Sequence, residues 1–134
     1  MKYNGIIEKK LRVIEDKLDN IQEWNIDSFD KLKSSSLLQN AVERALQVAV
    51  EAMIDVSERI LALENIAPQT TSAANIEKLQ TMNILSNQEE YKDMVRFRNF
   101  IVHRYEKIDL EIIYDILNNK LKLFAKFIED IRNS

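Results

Sequence analysis

Residues 37–61, LLQNAVERALQVAVEAMIDVSERIL, decide the fold class, because apolar residues recur in them at spacings of three and four. This periodicity is typical of an α-helix that buries one face. Polar residues step by the same intervals on the opposite side, so the pattern predicts a long helix over about 36–65. Its apolar stripe contains Val42, Ala45, Leu46, Ala49, Val50, Met53, Ile54, Ser57, Ile60 and Leu61.

A first amphipathic helix precedes this segment. Apolar residues from Ile7 to Ile21 recur every three or four positions, which predicts a helix over about 4–24. Ser28 follows an interruption and has the side chain of an N-cap, so a short helix through Leu32 is expected after it.

The segment after the long helix contains weaker signals. Residues 66–74 hold the only proline and a cluster of Thr, Ser and Ala, which indicates a loop. A weak helix is predicted over about 75–82. Ser86 and Glu89 then form a capping-box pattern, which predicts a helix over 87–102.

The remaining chain predicts a break at residues 103–108, followed by a last helix that Asp109 caps and that continues through Ile131. Four long amphipathic helices with short connections specify an all-α fold, an antiparallel up-down helical bundle with short helices added. The length of 134 residues suits one domain, so we predict a single helical domain over 1–134.

Composition narrows the function classes. With 46% hydrophobic and 31% charged residues, one Gly and one Pro, the chain is globular and helix-rich. The absence of cysteine excludes disulfides and thiolate metal sites. No stretch approaches the roughly 18 apolar residues of a membrane span, so we expect a cytoplasmic protein with no membrane partner. The net charge of -3 argues against a broad nucleic-acid footprint but is compatible with a local basic cleft.

Neither a cofactor nor a metal is expected. The chain has no glycine-rich phosphate loop. Glu51, Asp55 and Glu58 share one helix face and could hold a divalent ion, but a solvated or salt-bridged face explains them better because no histidine joins them. A further hypothesis is that Glu51 or Asp55 pairs with an arginine of the helix predicted over 87–102 and orients it.

Residues 96–105, RFRNFIVHRY, contain the only histidine of the chain, His103. Five residues of a regular helix turn through about 500°, so Arg98 and His103 would point about 140° apart. Asn99 and His103 are four residues apart and share a face. Arg98 and His103 can therefore act together if the helix ends before His103, or if a second copy of the chain in a symmetric dimer supplies one of them.

The same residues suit two interpretations. Arginine offers planar paired donors to a phosphate, and histidine titrates near neutral pH, so the pair is suited to phosphodiester cleavage without a metal. However, a histidine followed by Arg104 near a helix C-terminus is commonly just a favourable cation at the negative end of the helix dipole, and Tyr105 would then only pack. From spacing alone, the second interpretation is the stronger one.

The stretch closely resembles the R-x4-H-x-Y signature of HepT-like toxins in the HEPN superfamily, with Arg98, His103 and Tyr105 at its three fixed positions. Residues 37–61 and residues 103–117, HRYEKIDLEIIYDIL, also resemble the corresponding parts of that family, so nearly the whole chain is covered.

The resemblance implies a HEPN-like bundle that forms a homodimer, with a metal-independent endoribonuclease site for RNA at the dimer cleft. Arg98 and His103 would be the catalytic pair, the arginine stabilising phosphate charge and the histidine transferring protons, with Asn99 in support. A local basic cluster supplies candidate RNA contacts at Lys92, Arg96, Arg104 and Lys107. That cluster is also compatible with an ordinary solvated helix face.

The resemblance further implies a partner, a minimal nucleotidyltransferase antitoxin in a toxin–antitoxin module. In that family the antitoxin transfers AMP from ATP to the motif tyrosine, here Tyr105, and the added charge and bulk would inactivate an RNA-phosphate site. A competing function is a non-catalytic helical subunit that binds a nucleotide or a partner within a nucleotidyltransferase complex.

Overall fold

The computed structural model of the chain describes residue 3, residues 5–102 and residues 109–134, with only the backbone described for residues 99–102. Within these residues there are α-helices and one π-helical segment, and no strand. The elements are α1 (Gly5–Glu23), α2 (Phe29–Lys33), α3 (Ser36–Leu63), α4 (Ser72–Thr81), α5 (Glu90–Val102), α6 (Leu110–Asp115), the π-helical segment (Ile116–Lys120) and α7 (Leu121–Arg132). The predicted all-α fold is confirmed.

The long helix α3 is the centre of the bundle and packs against α1, α2, α4 and α5, while α7 contacts α1 and α5. The first and third helices run antiparallel. At one end Tyr3 Oη donates to Glu64 Oε1 over 3.3 Å, and further along Lys10 Nζ lies 3.0 Å from Asp55 Oδ2. In the described part of the chain, no helix combines the length and the apolar character needed to cross a membrane.

The predicted apolar stripe of α3 is buried along its whole length. Ser57, the one polar member, is 1% exposed, and its hydroxyl donates to the Met53 carbonyl over 2.8 Å. A buried hydroxyl without a partner would be costly, so this bond explains how serine fits into the stripe. Burying each large aliphatic side chain of such a core contributes about 1.5–3 kcal/mol.

Local capping signals were correctly predicted in two places. The Ser28 hydroxyl accepts from Lys31 N over 3.1 Å at the start of α2, and Asp109 Oδ1 accepts from Glu111 N over 2.9 Å at the start of α6. The continuous last helix is divided, however, because the π-helical segment separates α6 from α7. The predicted break at residues 103–108 lies outside the described residues.

The capping-box prediction at Ser86 is wrong, and the preceding helix starts earlier than predicted. The helix α5 begins at Glu90, while Ser86 donates from its backbone N–H (3.0 Å) and its hydroxyl (2.6 Å) to Asp130 Oδ2. A carboxylate brought in from α7 therefore takes the place of the local cap. Helix α4 starts at Ser72, because Thr71 accepts from Ala74 N over 3.0 Å.

Candidate active site

Arg98 lies on the exposed side of α5 and lines a cleft between α1, α3 and α5. The opposite side of α5 packs into the core through Tyr91, Met94, Val95 and Phe97. The amphipathic pattern of this helix therefore turns the guanidinium outward. The cleft has a volume of about 460 Å³ and is lined by Arg98 together with Lys10, Val13, Val48, Glu51, Ala52, Ile54, Asp55 and Glu58.

Two of the three carboxylates of this cleft have partners other than Arg98. Asp55 pairs with Lys10 at 3.0 Å and with Arg59 at 3.2 Å, and Glu51 accepts a 3.3 Å hydrogen bond from Gln47. Burial alone would raise the pKa of Asp55, but the hydrogen bonds from Lys10 and Arg59 outweigh it and lower that pKa.

The hypothesis that Glu51 or Asp55 pairs with an arginine of the motif helix is wrong for Arg96 and Arg98, the two arginines of α5, because these carboxylates have the other partners named above and Arg96 pairs with Asp93. Arg98 shares the cleft with both carboxylates, yet among the described residues no carboxylate oxygen lies within 4.0 Å of its guanidinium. The five donors of Arg98 thus face the cleft without a described acidic partner, a suitable state for receiving a phosphate.

The other predicted site residues near the motif histidine are outside the described residues or are described only by their backbone. His103, Arg104, Tyr105 and Lys107 lie outside the described residues, and Asn99 is described only as a backbone position in α5. The last described residue of α5 is Val102, which directly precedes His103 in the chain.

Two members of the predicted basic cluster do not line the Arg98 cleft. Lys92 pairs at 3.1 Å with Glu89, which directly precedes α5, and Arg96 pairs at 3.4 Å with Asp93 within α5. Arg96 instead lines a separate cleft that includes Phe97. The Arg96–Asp93 pair is exposed and contributes little to stability, but both pairs partly neutralise the positive charge that was expected near the motif.

Sequence reasoning missed Lys10, which brings a second cation into the Arg98 cleft. No local pattern in α1 marks this lysine, because its role depends on the antiparallel packing of α1 on α3. The acidic cluster does not form a metal site: within the part of the chain that is described, no three Asp, Glu or His side chains are arranged to hold a metal ion.

Comparison with known families decides the assignment. The model of the family described as Ribonuclease HepT-like matches residues 14–131, which include the second half of α1, the whole of α2 to α6, nearly all of α7, and the whole motif. The chain belongs to this HepT-like ribonuclease family. The membership confirms the resemblance drawn from residues 96–105, and it makes the chain a ribonuclease by family.

Curated relatives agree with this assignment along nearly the full length of the HepT-like chain. It is 28% identical over 131 residues to the mRNA nuclease HepT of Shewanella oneidensis, covering 96% of this chain and 98% of that protein. It is 26% identical over 130 residues to the tRNA nuclease HepT of Aphanizomenon flos-aquae, covering 96% and 88%.

The fold is similar to that of a solved structure, a tri-AMPylated Shewanella oneidensis HEPN toxin in complex with MNT antitoxin. The TM-score is 0.89 at 28% sequence identity, and the match covers 98% of this chain and 100% of the other. The predicted HEPN-like bundle is confirmed by this likeness.

Proposed function

We propose that this HepT-like chain is a metal-independent endoribonuclease toxin that cleaves RNA with Arg98 and His103. The observation that carries the proposal is the Arg98 guanidinium, which faces an open cleft without a described acidic partner on the helix that leads directly into His103. The relatives named as mRNA and tRNA nucleases support RNA as the substrate class.

The chemistry needs one proton-transfer group and one fixed cation. His103 takes the proton of a ribose 2′-hydroxyl, whose oxygen bonds to the adjacent phosphorus while the bond to the 5′-oxygen breaks. The leaving 5′-oxygen receives a proton, and a 2′,3′-cyclic phosphate remains. Arg98 stabilises the negative charge on the phosphoryl oxygens through paired donors. Asn99 supports His103 from a position one helical turn earlier.

A homodimer is part of the proposal. On a regular helix Arg98 and His103 lie about 140° apart, so a symmetric pair of chains is a simple way to place an arginine and a histidine at one phosphate. Arg104 and Lys107 are proposed as further RNA contacts. Lys92 and Arg96 are proposed to contribute less to RNA binding, because each is already paired with a nearby carboxylate.

Regulation by a minimal nucleotidyltransferase antitoxin is also proposed. The Tyr105 oxygen would bond to the α-phosphorus of ATP, pyrophosphate would leave and the phenolic proton would be lost. The resulting phosphodiester adds a negative charge and a nucleoside two residues from His103, which opposes binding of an RNA phosphate. The likeness to an AMPylated HEPN toxin in complex with MNT antitoxin supports this step.

Cleavage is tested with purified protein and RNA in the presence of EDTA. Wild type should cleave, whereas His103→Ala and Arg98→Ala should each lose about 100-fold or more of the rate. Arg12→Ala is the matched control, since Arg12 is an exposed arginine with a 72% exposed side chain that is outside the motif and the Arg98 cleft. Equal rates for wild type and His103→Ala would contradict the catalytic assignment, and RNA binding without cleavage by wild type would favour the non-catalytic subunit.

Modification is tested by co-expression with the cognate nucleotidyltransferase followed by peptide mass spectrometry. The peptide containing Tyr105 should gain the mass of AMP, and Tyr105→Phe should remain active in the presence of the antitoxin. Tyr114→Phe serves as the control, because Tyr114 is outside the motif in sequence and packs edge-on against Phe29, at 5.7 Å between ring centroids. An inactivated complex with unmodified Tyr105 would overturn the AMP-transfer step.

A further inference from the structure

A second cleft continues from the Arg98 cleft along the surface between α1 and α3. It has a volume of about 530 Å³ and is lined by Val13, Lys17 and Asn20 of α1, by Trp24 directly after α1, and by Ala41, Arg44, Ala45 and Val48 of α3. Val13 and Val48 line both clefts, so the two are halves of one groove. We call the half between Val13 and Trp24 the outer groove.

Helix geometry explains why the outer groove is continuous. Its α1 residues are spaced by four and three positions, and its α3 residues by three, one and three, so each set lies on one helix face. Trp24 follows Asn20 by four positions and continues the α1 face, since its backbone N–H donates to the Asn20 carbonyl over 3.2 Å. Because α1 and α3 are antiparallel, these faces oppose each other from Lys10 and Asp55 at one end to Trp24 and Ala41 at the other. This distance is about 21 Å along α1 at 1.5 Å per residue.

The two halves of the groove carry different charges. The half at Arg98 holds three carboxylates, on Glu51, Asp55 and Glu58. Among the described residues, the outer groove is lined by two cations, Lys17 and Arg44, and by no carboxylate. In the described part of the chain neither cation lies within 4.0 Å of a carboxylate oxygen, whereas Lys10 and Arg59 both pair with Asp55. The outer groove thus offers unneutralised positive charge to an anionic ligand.

Trp24 adds an aromatic surface at the far end of the outer groove. It is the only tryptophan of the chain, it is half-buried, and it packs against the edge of the core. Apolar side chains of Val13, Ala41 and Val48 form the walls between it and the Arg98 cleft. Cations beside an exposed aromatic face are the combination with which proteins bind single-stranded nucleic acid, since phosphates contact the cations and bases stack on the ring.

We propose that the outer groove binds single-stranded RNA next to the cleaved phosphate, with Lys17 and Arg44 contacting backbone phosphates and Trp24 stacking on a base. The inference rests on the proposed ribonuclease function. The carboxylates in the Arg98 half disfavour an extended phosphate backbone there, so flanking nucleotides gain most from the outer groove. Double-stranded RNA is disfavoured, because its bases are stacked on each other and cannot reach Trp24.

Binding is measured with fluorescein-labelled polyuridylate and His103→Ala protein, so that cleavage does not intervene. Adding Lys17→Gln and Arg44→Gln should weaken binding and reduce the slope of log Kd against log salt by about 1.4, since each single-strand phosphate contact contributes roughly 0.7. The matched control is Lys9→Gln with Lys122→Gln, which removes the same charge from exposed lysines outside the groove. Equal slopes for the two double variants would overturn the proposal.

Stacking on Trp24 has its own readout. Because Trp24 is the only tryptophan, polyuridylate should quench the intrinsic indole fluorescence of the His103→Ala protein with the same Kd as the label reports. Trp24→Leu should weaken binding about tenfold, and Trp24→Phe should restore most of it. Unchanged indole emission at saturating RNA would contradict stacking, whether or not Trp24→Leu folds.

Two outcomes separate this inference from its foundation. If RNA quenches the indole fluorescence and the groove variants change the slope of log Kd against log salt, but the wild-type chain cleaves no RNA, then the outer groove binds RNA and the nuclease proposal is wrong. If the wild-type chain cleaves RNA but the groove variants bind RNA as tightly as the His103→Ala protein does, then the nuclease proposal is supported and the outer-groove inference is wrong. If the Lys17 and Arg44 changes alter the sedimentation coefficient but not the affinity for RNA, the groove is an interface between copies of the chain and the inference is wrong.

Discussion

Asp130 is a single residue of α7 that organises the connection between α4 and α5. Its Oδ2 accepts from Ser86 N (3.0 Å), Ser86 Oγ (2.6 Å) and Tyr91 Oη (2.7 Å), and Lys126 Nζ lies 3.4 Å from its Oδ1. Burial alone would raise the pKa of Asp130, but the hydrogen bonds from Ser86 and Tyr91 outweigh it and lower that pKa. Burial raises the pKa of Tyr91, so its phenol remains a donor.

We expect Asp130→Asn to lower the free energy of unfolding at pH 7 by about 1–3 kcal/mol, because an amide replaces a carboxylate that accepts from several donors. The folded pKa of Asp130 lies below its unfolded value of about 3.9, so its stabilisation is present above that pH and is lost as the pH falls through the folded pKa. Urea unfolding at pH 7 and in the acid range should therefore show a difference from wild type that narrows in acid. The control is Asp16→Asn, at an exposed position, which should unfold with the same free energy as wild type at both pH values. An effect of Asp130→Asn that does not change with pH would contradict stabilisation by the ionised carboxylate of Asp130.

At the scale of the elements, three helices end on asparagines in the left-handed conformation. Asn25, Asn65 and Asn83 have φ of 48°, 59° and 60° and follow α1, α3 and α4. After α3, Asn65 N donates to Ala62 O (3.1 Å) and Ile66 N to Leu61 O (2.9 Å), the two bonds of a Schellman motif. Asparagine thus serves where glycine is usual, in a chain whose only glycine is Gly5.

Asn65→Ala should reduce the free energy of unfolding by about 1 kcal/mol, because a Cβ without the local hydrogen bonding of asparagine is strained at positive φ. Asn65→Gly should not reduce it. Urea unfolding measures both changes, and Asn40→Ala inside α3 is the control, since alanine favours a helix interior and should leave stability equal or higher. Equal stability of Asn65→Ala and Asn65→Gly would show that the left-handed turn does not limit stability.

At the scale of the whole molecule, an ion-pair cluster joins the two ends of the chain. Arg132 near the end of α7 donates to Glu8 and Glu15 of α1, with Nη1 and Nη2 at 3.0 and 2.9 Å from the two oxygens of Glu15. The hydrogen bond from Arg132 lowers the pKa of Glu15 against the opposing effect of burial. This planar, two-sided geometry suits a guanidinium and not an ammonium.

Arg132→Lys should lower the free energy of unfolding by about 1 kcal/mol at low salt, because lysine keeps the charge but cannot donate to both carboxylates in one plane. The loss should shrink as salt is added, since the cluster is partly exposed and its attraction is screened. Arg12→Lys is the matched control, because Arg12 makes a 3.7 Å pair with Glu8 from a largely exposed position. Thermal unfolding at two salt concentrations compares them, and identical losses for both variants would refute a special role for Arg132.

Local pattern was enough to predict most helices. The stripe of α3 repeats every three or four residues, and Ser28 and Asp109 cap the helices that follow them, because these interactions lie within one turn of the chain. The same kind of pattern failed at Ser86, whose partner Asp130 is 44 residues away in the sequence. A capping box competes with any acceptor that folding brings close, and sequence does not show that competitor.

The candidate site likewise has features that the sequence predicts and features that only the tertiary structure shows. The sequence by itself determined the family signature of Arg98, His103 and Tyr105, because chemistry of this kind depends on residue types at fixed spacing along one segment. Only the tertiary structure decided that Arg98 shares a cleft with Lys10, that Asp55 is paired with Lys10 and Arg59, and that this cleft continues to Trp24. These contacts depend on how α1, α3 and α5 pack, which brings together residues that are distant in sequence and share no local pattern.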